Sequence, residues 1–410
     1  MIQASKNSNT IQTTILNGTS FSMQVVESIA GVAEEWDNIL EGNNTLLSSA
    51  YLMALEQYPP FGMAFRYLVL RDPQGCGVGV AYFQIQHFNA ANSLNVADDK
   101  KSPWLIGSLQ KYVKDIVARN VVFNTFVFGN LLLTGENAFY FRKNIMPDDQ
   151  LIKLMTAAAE TLQQTLNSAG IQCNVCLMKD FKAIEPNQTR NLLSEKNFHE
   201  FCVQPCMMMS IQDEWLSFDD YLGSLHSKYR VRAKRAFKKR QELSCRELGQ
   251  DEILLYQNQI HDLYMNVAQN AGFNTVNLHV GYFYGLKKYL GEKFQLFAYF
   301  RGNVIKAFYT IIHNGYELEA HFLGYDKQEN AISQIYLNSL FDIIQHAIEG
   351  RFSQINFSRT ALEIKSSVGA VPLDMYCYMK HRSHIPNKFI KPIIDYLNPD
   401  FDWQPRHPFK

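Results

Sequence analysis

The sequence predicts an α+β protein made of two domains of similar plan. Three observations support this prediction: the length of the chain, its composition and the order of its elements. The 410 residues are long for one domain, at roughly 150 residues per domain. Hydrophobic residues make up 47% of the chain and charged residues 19%, which is typical of globular proteins. The same order of elements occurs twice: helices, an antiparallel meander, a helix and a further strand.

The first half of the chain supplies the first of these series. Trp36 and Leu40 lie four residues apart on one face of a short helix. Asp72–Gly75 is a turn between two strands. The predicted helix, hairpin, β-rich run, helix and strand occupy residues 32–40, 64–70 with 78–87, 121–133, 148–168 and 171–178.

The second half repeats the order. Asn314-Gly315 is a strong signal for a two-residue hairpin turn in its meander. The predicted helices, three-stranded meander, helix, strand and short helical piece occupy residues 218–243, 251–271, 294–300, 304–313, 316–324, 332–348, 355–357 and 361–366. We therefore expect domains at residues 20–205 and 206–400, each with a mostly antiparallel mixed sheet flanked by helices.

Charge and cysteine content exclude several classes of protein. The 39 Lys and Arg residues balance 39 Asp and Glu residues, so the chain is not a generally basic nucleic-acid-binding protein. It contains no run of ~20 apolar residues, so we expect no membrane-spanning helix. Residues 1–20 lack the apolar core of a secretory signal. Seven cysteines, an odd number, indicate reduced thiols, and we expect a cytoplasmic location.

Four segments carry a resemblance to a known family. Leu225–Arg230 (LHSKYR) precedes a basic helix, and Ala320–Asp326 (AHFLGYD) lies in the meander. Phe357–Lys365 (FSRTALEIK) follows the last predicted strand, and Val127–Glu136 (VFGNLLLTGE) lies in the first half. With the repeated element order, these segments resemble the tandem GNAT acyltransferases of the Fem-like, peptidoglycan aminoacyltransferase-like family.

The resemblance implies two GNAT-like (acyl-CoA N-acyltransferase) domains. The second would carry the donor and acceptor sites, with Ala320–Asp326 as the central strand whose splayed end opens the acyl-donor site. The first would be a degenerate partner that shapes the acceptor cleft. The implied reaction is direct attack of an amine on an activated acyl group, without a metal or a covalent enzyme intermediate.

The sequence does not decide between three acyl donors: acyl-CoA, an acyl carrier protein and aminoacyl-tRNA. GNAT enzymes usually hold the CoA pyrophosphate with a Gln/Arg-x-x-Gly-x-Gly/Ala loop at a helix N-terminus. The equivalent segment here, Gln328–Ser333, has Ala331 and Ser333 in place of the small flexible pair. Fem-type enzymes, which use aminoacyl-tRNA, also lack that loop.

We expect an N-acyltransferase that passes an acyl group from acyl-CoA or an acyl carrier protein to an amine, with no tightly bound cofactor. The amine acceptor would be a small molecule or a lipid precursor. The first alternative is Fem-type transfer from tRNA to a peptidoglycan precursor. The second is a non-catalytic module that binds a cell-wall or lipid fragment.

The strongest charge feature is a run of cations on a predicted helix. Residues 228–240 contain eight basic side chains and no acid, opposite an apolar stripe. Such a face can bind the phosphates of CoA, a carrier protein or tRNA, or lie against the anionic inner surface of a membrane. A solvated helix face is the alternative. The resemblance adds Lys228, Tyr229 and Arg230 as substrate-binding candidates.

Polar residues around the strand at 316–324 are the candidate catalytic groups. Because side chains alternate along a strand, Glu319, His321 and Tyr325 are predicted to share one face with Glu317. His321 or Glu319 could remove the amine proton, and Tyr325 could protonate the leaving group. Asp326 follows them as a substrate-binding candidate. A solvent-facing sheet surface is the alternative interpretation.

Other candidates follow strands of the two halves. Arg359 and Lys365 suit a carboxylate or phosphate, whereas Thr360, with Ser358, could bind substrate or cap a short helix. Gly129-Asn130 predicts a bulge that presents backbone donors to a ligand or is purely structural. Cys173-x-x-Cys176 has a zinc-like spacing, but residues three apart on a strand point to opposite faces. We therefore expect no metal site.

Overall fold

A computed structural model describes residues 10–16, 19–42, 44–89, 122–142, 148–181, 186–269, 276–397 and 403–410. These residues form two mixed β-sheets flanked by helices, so the predicted α+β class is confirmed. None of the described helices has the length and apolar character that crossing a bilayer requires.

The first half contributes eight strands and four helices to the described part of the chain. The strands are β1 (Thr10–Leu16), β2 (Thr19–Val26), β3 (Met63–Arg71), β4 (Gly77–Asn89), β5 (Val122–Phe128), β6 (Phe139–Phe141), β7 (Cys173–Phe181) and β8 (His199–Cys202). The helices are α1 (Ala33–Leu40), α2 (Ser49–Gln57), α3 (Asp148–Ser168) and α4 (Pro186–Glu195).

The remaining described elements lie after residue 205. The strands are β9 (Cys206–Ser210), β10 (Ser244–Glu247), β11 (Phe294–Arg301), β12 (Val304–Asn314), β13 (Glu317–Tyr325), β14 (Gln354–Asn356), β15 (Val371–Leu373) and β16 (Tyr376–His381). The helices are α5 (Phe218–Ser224), α6 (Ser227–Lys239), α7 (Gln250–Leu255), α8 (Gln257–Ala268), α9 (Tyr282–Leu290), α10 (Lys327–Ser333), α11 (Ile335–Glu349), α12 (Leu362–Ser366), α13 (His384–Asn387) and α14 (Ile390–Leu397).

The two sheets follow the same plan. Within the described residues, the first has the order β1-β2-β3-β4-β5-β7-β16-β8, with β6 beside β4, and the second has the order β10-β11-β12-β13-β14-β9-β15. Each contains one parallel pair, β5 with β7 and β13 with β14, joined through a long helix. Strand β16 comes from the end of the chain but pairs with β7 and β8. The first sheet therefore includes two strands from outside residues 20–205, β1 and β16.

Two helices predicted as continuous are broken. The helix expected at 218–243 is interrupted because Leu225 is extended and bridges Phe409, while His226 N–H donates to the carbonyl of Pro408. The helix expected at 251–271 turns at Tyr256, between α7 and α8. The contact with residues 408 and 409 explains the first break. No local pattern in the sequence predicts this break.

The two halves share a buried core. Trp36, Tyr51 and Leu52 of the first half belong to the same apolar cluster as Tyr282 and Leu286 of α9. The ring of Tyr58 fits against Gly281 and Gly285, where an added Cβ would lie 2.6 and 2.4 Å from that ring. Glycine at these two positions therefore allows α2 and α9 to approach closely. The face of β13 that is directed toward the first domain lies at this buried interface.

Candidate active site beside the diverging strands of the second sheet

The parallel strands β13 and β14 separate after a short contact. They pair only at Glu317 with Gln354, Leu318 with Ile355 and Glu319 with Asn356. Strand β13 continues to Tyr325, and no described strand pairs with this part of its inner edge. Backbone N–H and C=O groups on an open edge can bind another extended chain. The diverging strands therefore leave a row of available backbone donors and acceptors.

A β-bulge in β13 changes the predicted arrangement of its side chains. Ile311 of β12 faces Ala320 and Tyr309 faces Leu323, so one extra residue of β13 lies between these two pairs. The Thr310 hydroxyl holds the bulge by donating to the carbonyl of Phe322 (3.0 Å) and accepting from its N–H (2.9 Å). Each side chain after the bulge therefore points to the face of the sheet opposite to the one that regular alternation predicts.

The prediction that Glu319, His321 and Tyr325 share one face is therefore wrong. His321 lies on the side of the sheet that faces the first domain, where its ring is 5.8 Å from that of Tyr282. Tyr325 lies on the opposite side, in the cluster beneath α11, with its ring 6.3 Å from that of Tyr336. The prediction fails because it assumed that side chains alternate along a regularly paired strand without a bulge.

His321 is held in one orientation by two hydroxyl groups. Tyr282 Oη lies 3.0 Å from its Nε2, and Thr310 Oγ1 lies 3.4 Å from its Nδ1. Because the Thr310 proton is given to Phe322, Nδ1 carries the imidazole proton and Nε2 accepts from Tyr282. Burial lowers the pKa of His321 to about 3. The imidazole is therefore neutral across the physiological range.

Glu319 is buried at the same interface, and its Oε2 atom has no hydrogen-bond partner among the described residues. Burial raises the pKa of this carboxyl group well above its ordinary value, and the neighbouring Glu317 raises it further. The buried position therefore favours the protonated form of Glu319 over the ionised one. Tyr51 Oη and Asn130 Nδ2 also form no well-aligned hydrogen bond with any described residue. Tyr51 nevertheless lies close enough to Tyr282, Asn130 and Glu319 to interact with them, so these polar groups form one cluster between the domains.

Replacing Glu319 with Gln should change how stability depends on pH. In the native protein this carboxyl keeps its proton at pH values where the unfolded chain has lost it. Wild-type stability therefore falls above pH 4.5, by up to about 1.4 kcal/mol per pH unit, until the raised native pKa is reached. Glu319→Gln removes this loss, so its unfolding free energy relative to wild type should rise with pH. Urea unfolding measures it, with Glu349→Gln on the exposed face of α11 as the control.

The segment after β14 has a strained backbone. Ser358, Thr360 and Ala361 all have positive φ angles, of 60°, 67° and 50°, and the left-handed region is costly for a β-branched residue such as Thr. The Ser358 hydroxyl lies 2.7 Å from that of Thr134, and its N–H donates to Asn356. Neither Ser358 nor Thr360 caps α12, because the position before that helix is Ala361 and no side chain caps it.

Lys365 stabilises this strained loop by hydrogen bonds to its backbone. Its buried ammonium group donates to the carbonyls of Ser358 and Arg359. Burial lowers its pKa to about 7, and the nearby Cys206 and Glu319 act in the opposite direction. The structure thus assigns Lys365 a position inside the protein, and the prediction that it contacts substrate stays a prediction.

Arg359 links the two domains. Its guanidinium group forms a buried ion pair with Asp180 at the end of β7 and donates to the carbonyl of Gln204. Asp180 also pairs with Lys179 and accepts the N–H of Gly135. Through these contacts, Arg359 binds the loop after β14 to the first domain. Direct contact of Arg359 with a substrate anion stays a prediction.

The remaining predicted residues lie at the edges of this site. Gly129 has φ +152°, and an added Cβ would lie 2.7 Å from Cβ of Lys179. Asn130 is buried, and its side-chain oxygen accepts from Leu132 N–H. Strand β5 ends at Phe128, so this pair begins a loop instead of forming a bulge within the strand. Asp326 caps α10 by accepting the N–H of Glu329.

The basic run forms α6, which packs against the first turns of α11 through Ala236 and Asn338. Arg240, just after α6, bonds to both carboxylate oxygens of Asp342. Tyr229 is buried beneath the helix, and Lys228 Nζ lies 4.8 Å from the centre of its ring. The other cations form no ion pair with any described residue: Lys228, Arg230, Arg232, Lys234, Arg235, Lys238 and Lys239.

Sequence reasoning missed several residues of this site. Tyr51 and Tyr282 lie on α2 and α9, two helices that were not predicted. Asp180 carried a usable signal, since a carboxylate directly after an apolar strand is a frequent site residue. The cysteines at 173 and 176 are buried free thiols, and the described residues contain no metal-binding group of His, Cys, Asp and Glu side chains.

Comparison with known proteins gives a structural match without a sequence match. No protein-family model and no curated protein matches the sequence significantly. The structure is similar to the crystal structure of FemX, with a TM-score of 0.53 at 10% identity over 88% of this chain and 98% of that one. It also resembles a tandem GNAT protein from the clavulanic acid biosynthesis pathway, with a TM-score of 0.49 at 8% identity over 88% and 99% of the two chains. A third match, L-PGS from Bacillus licheniformis, has a TM-score of 0.45 at 11% identity over 88% and 96%.

These low identities bear on the fold alone. The match to FemX covers both domains, and each domain of this chain has the parallel strand pair described above. The chain therefore has the Fem-like tandem GNAT fold.

Proposed function

We propose that this protein is an N-acyltransferase that uses a thioester donor, either acyl-CoA or an acylated carrier protein. The amine attacks the thioester carbonyl, a C–N bond forms, and the C–S bond breaks. The proton lost by the amine finally resides on the released thiol. The observation that carries the proposal is the open inner edge of β13, which lies directly beside a buried polar cluster.

The open edge suits a thioester donor because both donors share a phosphopantetheine arm. That arm contains two amide groups, which can pair with backbone groups of a strand as an added strand does. A backbone N–H of the same edge can then stabilise the negative charge that develops on the thioester oxygen. The edge from residue 320 to 325 thus provides both binding and transition-state stabilisation.

The amine would enter from the side of the first domain. Glu319 Oε2 and Tyr51 Oη lie there without a well-formed hydrogen bond to any described residue, and an amino group can donate to such oxygen atoms. The neutral imidazole of His321 accepts from the Tyr282 hydroxyl and so orients the Tyr282 oxygen, which can accept a hydrogen bond from the amine. In this proposal the second domain carries both sites, and the first domain closes the acceptor side.

A second candidate donor is aminoacyl-tRNA. Seven cations of the α6 region pair with no carboxylate of the described residues and favour this donor, because such a surface binds a phosphate backbone. The shared fold with FemX is compatible with this donor. The acceptor amine and the direct transfer step would be the same.

Thermal unfolding with candidate donors tests the proposal. The ligands are free CoA, acetyl-CoA, a long-chain acyl-CoA and bulk tRNA, with inorganic pyrophosphate as the control for charge alone. A ligand at ~100 times its Kd should stabilise the native state by about 2.7 kcal/mol. Stabilisation by CoA esters supports the thioester donor, and stabilisation by tRNA alone supports the second candidate. If the folded protein responds to none of them, the donor site proposed here is wrong.

A further inference from the structure

The end of the chain carries an apolar stripe that the core does not use. Ile385, Phe389 and Ile393 recur at intervals of four residues along α13 and α14, and their exposed fractions are 73%, 58% and 50%. The neighbouring side of α14 is also apolar, with Ile390 and Ile394 buried. The apolar face of this helix is therefore wider than the part that the protein covers, and a wide apolar face normally has apolar surroundings throughout. The inner side has them, because α14 packs on β8 and β16.

The stripe is held firmly in place. The side chain of Asn387 accepts the N–H of His381 at 2.7 Å and donates to the carbonyl of Asn197 at 3.0 Å. These two bonds tie α13 to β16 and to the turn before β8. The exposure of Ile385 and Phe389 is therefore a property of a packed segment and not of a frayed end.

Cations outnumber carboxylates around the stripe. From residue 382 to residue 391 the chain has three cations, Arg382, Lys388 and Lys391, and no carboxylate. All three are exposed. Asp395, one turn further along α14, lies 3.7 Å from Lys391. Exposed apolar side chains framed by cations match the two attractions of an anionic bilayer, which are apolar insertion and surface charge.

We propose that α13 and α14 form a docking surface for an anionic lipid bilayer, with the apolar stripe inserted at the level of the head groups and the three cations beside the lipid phosphates. The surface uses a face of the first sheet that is separate from the candidate active site. The inference therefore does not depend on the proposed function.

Vesicle co-sedimentation of the full chain tests this surface. The wild type should bind vesicles of phosphatidylcholine with phosphatidylglycerol, bind pure phosphatidylcholine at least about tenfold less, and dissociate at high salt. The variant Ile385→Ser/Phe389→Ser/Ile393→Ser should lose at least about tenfold in binding, and Lys388→Gln/Lys391→Gln should lose the preference for anionic lipid. Leu255→Ser/Tyr316→Ser, which replaces two exposed apolar residues in the second domain, should bind as the wild type does.

Three results would overturn the proposal. Wild type that binds neither kind of vesicle contradicts it, as does equal binding to both. A triple variant that remains folded by circular dichroism and still binds as wild type also contradicts it. A concentration-dependent dimer that the triple variant abolishes, without vesicle binding by the wild type, would show that a second copy covers the stripe instead.

Discussion

Asp180→Asn should lower the free energy of unfolding by about 3–5 kcal/mol, because it leaves two cations without their buried partner. The Asp180 side chain is fully buried and pairs with Arg359 and Lys179. Its φ of 64° lies in the left-handed region, which Asn adopts readily. The substitution therefore removes the charge and preserves the backbone. Urea unfolding at neutral pH measures the loss.

Glu200→Gln is the matched control for this experiment. Glu200 pairs with Arg190, whose side chain is 50% exposed, so the loss should stay below about 1 kcal/mol. Equal effects of the two substitutions would show that the Asp180–Arg359 pair does not fasten the domains together.

His321→Gln should lower kcat for acyl transfer by about 10²-fold or more, while the affinity for the donor stays near that of wild type. The reason is that His321 faces the polar cluster at the domain interface, whereas the donor edge is made of backbone groups. Because its pKa is lowered to about 3, the wild-type rate should show no ionisation of this imidazole near neutral pH. Steady-state kinetics with the donor identified by thermal unfolding measures both effects.

Tyr325→Phe is the control that separates the bulged strand from a regular one. The bulge places Tyr325 on the side of α11, away from His321, so this variant should keep a kcat close to wild type. If Tyr325→Phe lost as much activity as His321→Gln, the two side chains would act together, and the assignment of faces would be wrong.

Local patterns were sufficient to predict much of the fold. The apolar stripe of α3 predicted its bounds, Asp148–Ser168. Asn314-Gly315 predicted a hairpin turn between β12 and β13, and the turn lies one residue further along, at Gly315 and Tyr316, with a positive φ of 62° at Gly315. Both features depend on residues near each other in the chain.

The features that the sequence did not predict depend on distant contacts. The bulge in β13 is held by Thr310 of the neighbouring strand, and nothing in the run from Ala320 to Asp326 announces it. Asp180 and Arg359 lie 179 residues apart, so their pairing is invisible to any local pattern. Arg359 and Lys365 were recognised as special residues, but the roles visible in the structure are to hold the loop after β14.

Amide hydrogen exchange of β13 with and without a saturating CoA ester tests the central claim most directly. The claim is that the donor pairs with the inner edge of β13 between residues 320 and 325, where no described strand lies. We expect amides in this segment to become protected when the donor binds, while those of β11, which is paired on both sides, stay unchanged. A donor that binds without protecting any amide from 320 to 325 would contradict the account.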